Sequence, residues 1–175
     1  MAILTDEEPS ILRLILFKRG LRPGAPLSEL EKISGEGLDE VISSLNQKLG
    51  EIGLEVVTVE ESDDLLGEGR RRVMVRSREP LHSKEVKLCG WDRRFLAALA
   101  VACAYLVSRG GRAREEEVVS LLRSKGISAR KVERMVEAGY LTSGREGVLG
   151  LGWRALAEID QDELRRLLME RRKTG

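Results

Sequence analysis

The chain has 175 residues, 42% hydrophobic and 34% charged, which places it among folded, highly charged proteins and excludes a disordered polar tract. Its 30 lysines and arginines against 29 aspartates and glutamates leave a formal net charge of +1, which excludes a uniformly basic polyelectrolyte binder. The longest apolar run, Phe95 to Val107, spans 13 residues where a membrane span needs about 20.

In chain order, Thr5-Asp-Glu-Glu8 has the pattern of a capping box, with Pro9 in the first turn of the helix it opens. Ile11, Leu12, Leu14, Ile15, Leu16 and Phe17 nearly encircle that helix, so more than one face is expected to be covered. Gly20 and Pro23 end it. Ser28 begins a short second helix with Leu30 and Ile33 inward. Leu38, Val41, Ile42, Leu45 and Leu49 recur at helical spacing and predict a third, closed by Gly50 and Gly53. Leu54 to Glu60 reads as a strand, Ser62 to Gly69 as an acidic turn with two glycines, and Arg72 to Arg78 as the return strand. Val73 and Val75 should point inward there, alternating with Arg72, Met74 and Arg76.

Glu79 to Leu88 holds Pro80 and no periodicity, and reads as a linker. Asp92 is placed to N-cap a long helix through Val107, whose unbroken apolar run again suggests burial all round. Glu115 to Lys125 forms a second helix, and Ser128 caps a third with Val132, Met135 and Val136 as its core stripe. Tyr140 to Thr142 and Val148 to Leu151 form a hairpin around Ser143-Gly-Arg-Glu-Gly147. Trp153 to Arg172 closes the chain as one or two helices.

Three helices followed by a hairpin therefore occur twice. The pattern predicts an α+β, mainly helical chain of two tandem winged-helix domains: residues 1–79, a linker at 80–90, and residues 91–175. The near-neutral total hides an asymmetry. Residues 1–79 hold 11 basic and 16 acidic side chains, a net of −5, and residues 80–175 hold 19 and 13, a net of +6. Nucleic acid, if bound, belongs on the second half.

No catalytic, cofactor-binding or metal-binding constellation is visible. Cys89 and Cys103 stand 14 positions apart and fit no zinc pattern. His82 is the only histidine and falls in the linker, so the serines lack a base. Gly67-Glu-Gly69 leads into a strand, not into a helix that could cradle a phosphate. Asp63 and Asp64 sit in a turn rather than across a cleft. The residues point to binding, with no enzyme activity and no cofactor. The polar, acidic start has no leader pattern, and the chain is read as cytoplasmic.

In winged-helix DNA binders the third helix enters the major groove and the wing touches the backbone. In the first domain that helix opens with Asp39 and Glu40, the wrong sign for phosphate. In the second it offers Arg130, Lys131 and Arg134, with Arg123 and Lys125 just before and Arg145 on the wing. These six are the candidate DNA-binding residues, suited to phosphate contact rather than base readout, since no asparagine or glutamine accompanies them. A solvated basic face is the competing reading. Arg70-Arg71-Arg72 with Arg76 and Arg78 could hold DNA backbone, meet an acidic partner, or protect an edge strand. Leu12 and Leu16 on the first helix, and Leu164 and Leu168 near the end, are the candidate partner-binding residues. The last two could equally complete the second domain's own core.

The stretch Leu38-Asp-Glu-Val-Ile-Ser-Ser-Leu-Asn-Gln-Lys-Leu-Gly-Glu-Ile-Gly-Leu-Glu-Val resembles the first winged domain of the non-SMC element 1 family, with its asparagine-x-x-leucine phrase before a strand. Lys131-Val-Glu-Arg-Met-Val-Glu-Ala-Gly-Tyr-Leu, and then Gly152-Trp-Arg-Ala-Leu-Ala-Glu-Ile, resemble that family's later helix, strand and closing helix. The tandem layout is also similar to segregation and condensation protein B. Both belong to the tandem winged-helix (KITE) subunits of SMC complexes. The resemblance spans about Ser10 to Leu168. It implies a non-catalytic subunit of a prokaryotic or archaeal chromosome organisation, segregation or repair complex, associated with the nucleoid. It further implies kleisin and SMC subunits as partners, pairing through the first domain with itself or a related subunit, and possible contact with double-stranded DNA. The RING domain of the eukaryotic members has no counterpart, so zinc and ligase chemistry are not carried over. A winged-helix transcription regulator is the alternative, with a ligase adaptor behind it.

Overall fold

The computed structural model describes residues 7–17, 22–61, 70–79, 85, 92–160, 162, 164–166 and 169–170. Thr5, Gly20, the turn at 62–69, most of the linker with His82 and Cys89, and Leu168 lie outside the described residues. The chain divides into two compact units, one holding the described residues through 79 and the other those from 85 onward.

The first unit runs α1 (Glu7–Phe17), β1 (Ala25–Pro26), α2 (Leu27–Ser34), α3 (Leu38–Gly50), β2 (Leu54–Glu61) and β3 (Arg70–Ser77). Its sheet is antiparallel with order β1-β3-β2. Ile11 and Ile15, one helical turn apart on α1, meet Leu30 of α2, Leu38 and Leu45 of α3, and Val56 and Val73 of the sheet. Leu12, Leu14 and Leu49 close the margin of this core. The apolar run of α1 is not covered all round: Leu16 is 53% and Phe17 76% exposed. Helix α2 starts one residue before the expected Ser28, with Pro26 as its N-cap. Gly53, with a φ of 75°, turns the chain from α3 into β2. Met74 is buried rather than outward, with the Gly24 backbone against its Cβ.

The second unit runs α4 (Arg93–Ser108), β4 (Arg112–Arg114), α5 (Glu115–Ser124), α6 (Arg130–Glu137), β5 (Leu141–Ser143), β6 (Val148–Leu151) and α7 (Trp153–Glu158). Its antiparallel sheet has the order β4-β6-β5. Phe95, Ala98, Leu99, Ala102, Cys103 and Leu106 make one buried stripe at helical spacing along α4. The apolar run is thus buried on one stripe, because Ala97 and Ala100 on the open side have little surface to hide. Val118 and Leu122 of α5, Val132 and Met135 of α6, and Leu141 and Leu149 of the hairpin complete the core.

The two units share one order, helix–strand–helix–helix–strand–strand, and in both the last strand lies at the centre of its sheet. That is the winged-helix topology, twice, in an α+β and mainly helical chain. The strands β1 and β4 were not legible as elements; each is two or three residues long and exists because a distant strand pairs with it.

Candidate functional site

The phrases that carry the family resemblance turn out to be joints of the fold. The Asn46 amide donates to the Val56 carbonyl at 3.0 Å, and its oxygen accepts from the Val56 N–H at 2.6 Å, so α3 is clamped to β2 by a side chain acting as a neighbouring strand would. Arg78 lies over the end of α3, donating to the Asn46 carbonyl, and occupies the space a Cβ at Gly50 would need. In the second unit the Gly152 N–H donates to the Tyr140 carbonyl and the Arg154 N–H to the Gly139 carbonyl. A Cβ at Gly152 would collide with the Gly139 backbone, so these glycines permit the approach that seats α7. The Tyr140 hydroxyl donates to Glu158 at 2.7 Å, while Arg154 pairs with the same carboxylate at 2.6 Å and lies 4.5 Å over the tyrosine ring. Burial, reinforced by that carboxylate, pushes the Tyr140 phenol above its ordinary pKa.

The arginine stripe on β3 is largely engaged within its own domain. Glu61, only 6% exposed, stands 3.1 Å from both Arg22 and Arg72, and Arg72 also donates to the Pro23 and Gly24 carbonyls. Arg76 pairs with Glu55 at 2.7 Å. Arg70 and Arg71 stand in register with Glu61 and Glu60. Strand β3 is the centre of its sheet, so protecting an edge is not the stripe's role. Glu8, 1% exposed, accepts from Lys48 at 2.6 Å and ties α1 to α3.

The six basic candidates of the second domain do not act as one set. Arg123 and Lys125 end α5, Arg130 begins α6, and Arg145 lies in the wing turn; all four are exposed. Lys131 is half-buried, with its ammonium on the Asp92 carboxylate and 5.9 Å from the centre of the Phe95 ring. The Arg134 guanidinium also lies over that ring, 5.0 Å from its centre. Asp92 N-caps α4 by accepting from the Arg94 N–H at 2.9 Å. The hydrogen bond from Lys131, then that backbone N–H, holds the Asp92 carboxyl below its ordinary pKa. Glu133 and Glu137 are exposed on α6 beside Arg130 and Arg134, so the open face of this helix carries two charges of each sign.

Of the partner-binding candidates, Leu12 is partly buried against the first core and Leu16 is open to solvent. Leu164 is partly buried against the second core. Cys103 is buried, and desolvation pushes its thiol up to about 12, which leaves it a packing residue rather than a nucleophile. Among the described residues no group of three or more His, Cys, Asp or Glu side chains could hold a metal ion, and no helix is long and apolar enough to cross a membrane.

No protein-family model matches the chain, and no curated protein matches it. Among solved structures, a chain of the Nse1-Nse3-Nse4 complex is similar with a TM-score of 0.69 at 16% identity, over 97% of this chain and 78% of that one. That likeness covers both repeats, and the fold of this chain is that of a tandem winged-helix protein.

Proposed function

We propose that the chain is a non-catalytic, tandem winged-helix subunit of an SMC-type chromosome complex, working on the nucleoid. In this reading the second domain holds a kleisin segment and the first pairs with a second copy or a related subunit. The observation that carries it is the repeated domain order with a fold likeness over 97% of the chain to a chain of the Nse1-Nse3-Nse4 complex. The ionisable groups that the fold buries support a scaffold: Glu8, Glu61 and Tyr140 each join one element to another. The open end of α1 at Leu16 and Phe17 supports pairing through the first domain.

DNA contact in this reading is sequence-independent and rests on Arg123, Lys125, Arg130 and Arg145. A transcription regulator would need base readout from α6, and its mixed-charge face without asparagine or glutamine does not favour that. Co-expression with the kleisin and SMC subunits of its own genome tests the assignment. A stable co-eluting complex is expected; elution alone, with both partners folded and present, overturns it.

A further inference from the structure

The outward face of the second wing carries a groove of about 650 Å³, in the range of cavities that hold small ligands or a few side chains. The register explains it. Arg112 and Thr142 both stand opposite Gly150, so the three form one row across β4, β6 and β5. The central position of that row has no side chain, while Ala113 and Leu149 next to it point into the core. A glycine inside a central strand weakens it, and here it opens a notch between an arginine and a threonine. Arg112, Arg145 and Arg165 line the groove; Arg165 is paired with Asp162 at 3.0 Å, and among the described residues no carboxylate lines it. Leu156 of α7, 51% exposed, supplies an apolar wall. The Thr142 methyl, not its hydroxyl, faces the Gly150 position, so this part of the groove is apolar.

We propose that this groove binds an acidic, leucine-bearing peptide segment of a partner protein. Carboxylates would pair with Arg112 and Arg145, and an apolar side chain would lie over Gly150 against the Thr142 methyl and Leu156. Charge complementarity fixes the sign of the occupant: Arg112 and Arg145 select an anion, and guanidinium forks suit carboxylates. The apolar wall selects peptide over nucleic acid. Among the described residues no aromatic side chain lines the groove to stack a base, and a phosphate backbone has no use for Leu156. The site stands on the groove alone, whether or not the partner is a kleisin.

The test is fluorescence anisotropy on the full chain with a labelled synthetic peptide of alternating glutamate and leucine. Comparison peptides replace glutamate by lysine or leucine by serine, and a labelled duplex DNA is titrated in parallel. The Glu/Leu peptide should bind best. Arg112→Glu with Arg145→Glu should weaken it about tenfold or more, the scale of a lost charge-assisted hydrogen bond. Leu156→Ser should weaken it too, with thermal stability held because all three side chains are exposed. Equal binding of the Lys/Leu or Glu/Ser peptide, or Glu/Leu binding indifferent to the arginine pair and Leu156, overturns the proposal. So does duplex DNA that binds and is lost with the arginine pair while the Glu/Leu peptide fails to bind.

Discussion

Asn46 shows how one side chain sets a joint. Asn46→Ala strips the partners from both the N–H and the carbonyl of a buried residue, Val56. It should cost about 1–3 kcal/mol in urea denaturation, the penalty of partly buried groups left unpaired. A change near zero would mean that water replaces the clamp. Asp92 offers a second residue-scale test. Its carboxyl is held below the ordinary value because the charged form accepts from Lys131 and from the Arg94 N–H. A depressed folded pKa contributes stability that is present above the unfolded value and lost as pH falls through the folded one. Neutral pH should therefore leave the cap intact, and acid should release it. Carboxyl titration by NMR should find Asp92 below its ordinary value, and Lys131→Met should move it upward. An Asp92 carboxyl unmoved by that substitution would contradict the contact. Neither joint was legible beforehand in full: the N-cap follows from Asp92 preceding a helix, but its lysine lies 39 residues away and only packing joins them.

At the scale of elements, periodicity revealed what is long and local. The helical stripes of α3 and α5 stand where the apolar spacing puts them, and the hairpin strands β2, β3, β5 and β6 fall close to the segments read as strands. The strands β1 and β4 escaped because a two- or three-residue element has no period. The encirclement expected of α1 and α4 failed for a related reason: spacing records which residues are apolar, not whether a neighbour arrives to cover them. Leu16 and Phe17 stay open at the end of α1, and alanines fill the open side of α4. The candidate DNA helix was legible in its cations but not in how they are used, since Lys131 and Arg134 are held against the start of α4. Any phosphate contact by α5 and α6 therefore falls to Arg123, Lys125 and Arg130. Arg123→Glu with Arg130→Glu should weaken duplex DNA binding and lower the logarithmic salt slope by about 0.9 per lost contact. An unchanged slope would remove this corner from any DNA interface.

For the whole molecule, the central claim is that two winged-helix domains serve as a scaffold and not as a catalyst or a gene-specific reader. Pairing through the first domain separates two leucines that sequence alone treats alike. Leu16→Glu changes an exposed residue and should release a paired species to monomer in light scattering, with little loss of stability. Leu12→Glu places a charge against the core margin and should cost stability, by about 1–3 kcal/mol. A wild type that stays monomeric at high micromolar concentration, alone and with its proposed partners, would contradict pairing. The most direct measurement is affinity purification of the tagged protein from its own cells, with quantitative mass spectrometry of what accompanies it. The account predicts an SMC ATPase and a kleisin near equal molar amounts with the bait, retained after nuclease treatment. Recovery of the bait without either, from cells that contain both, would contradict it.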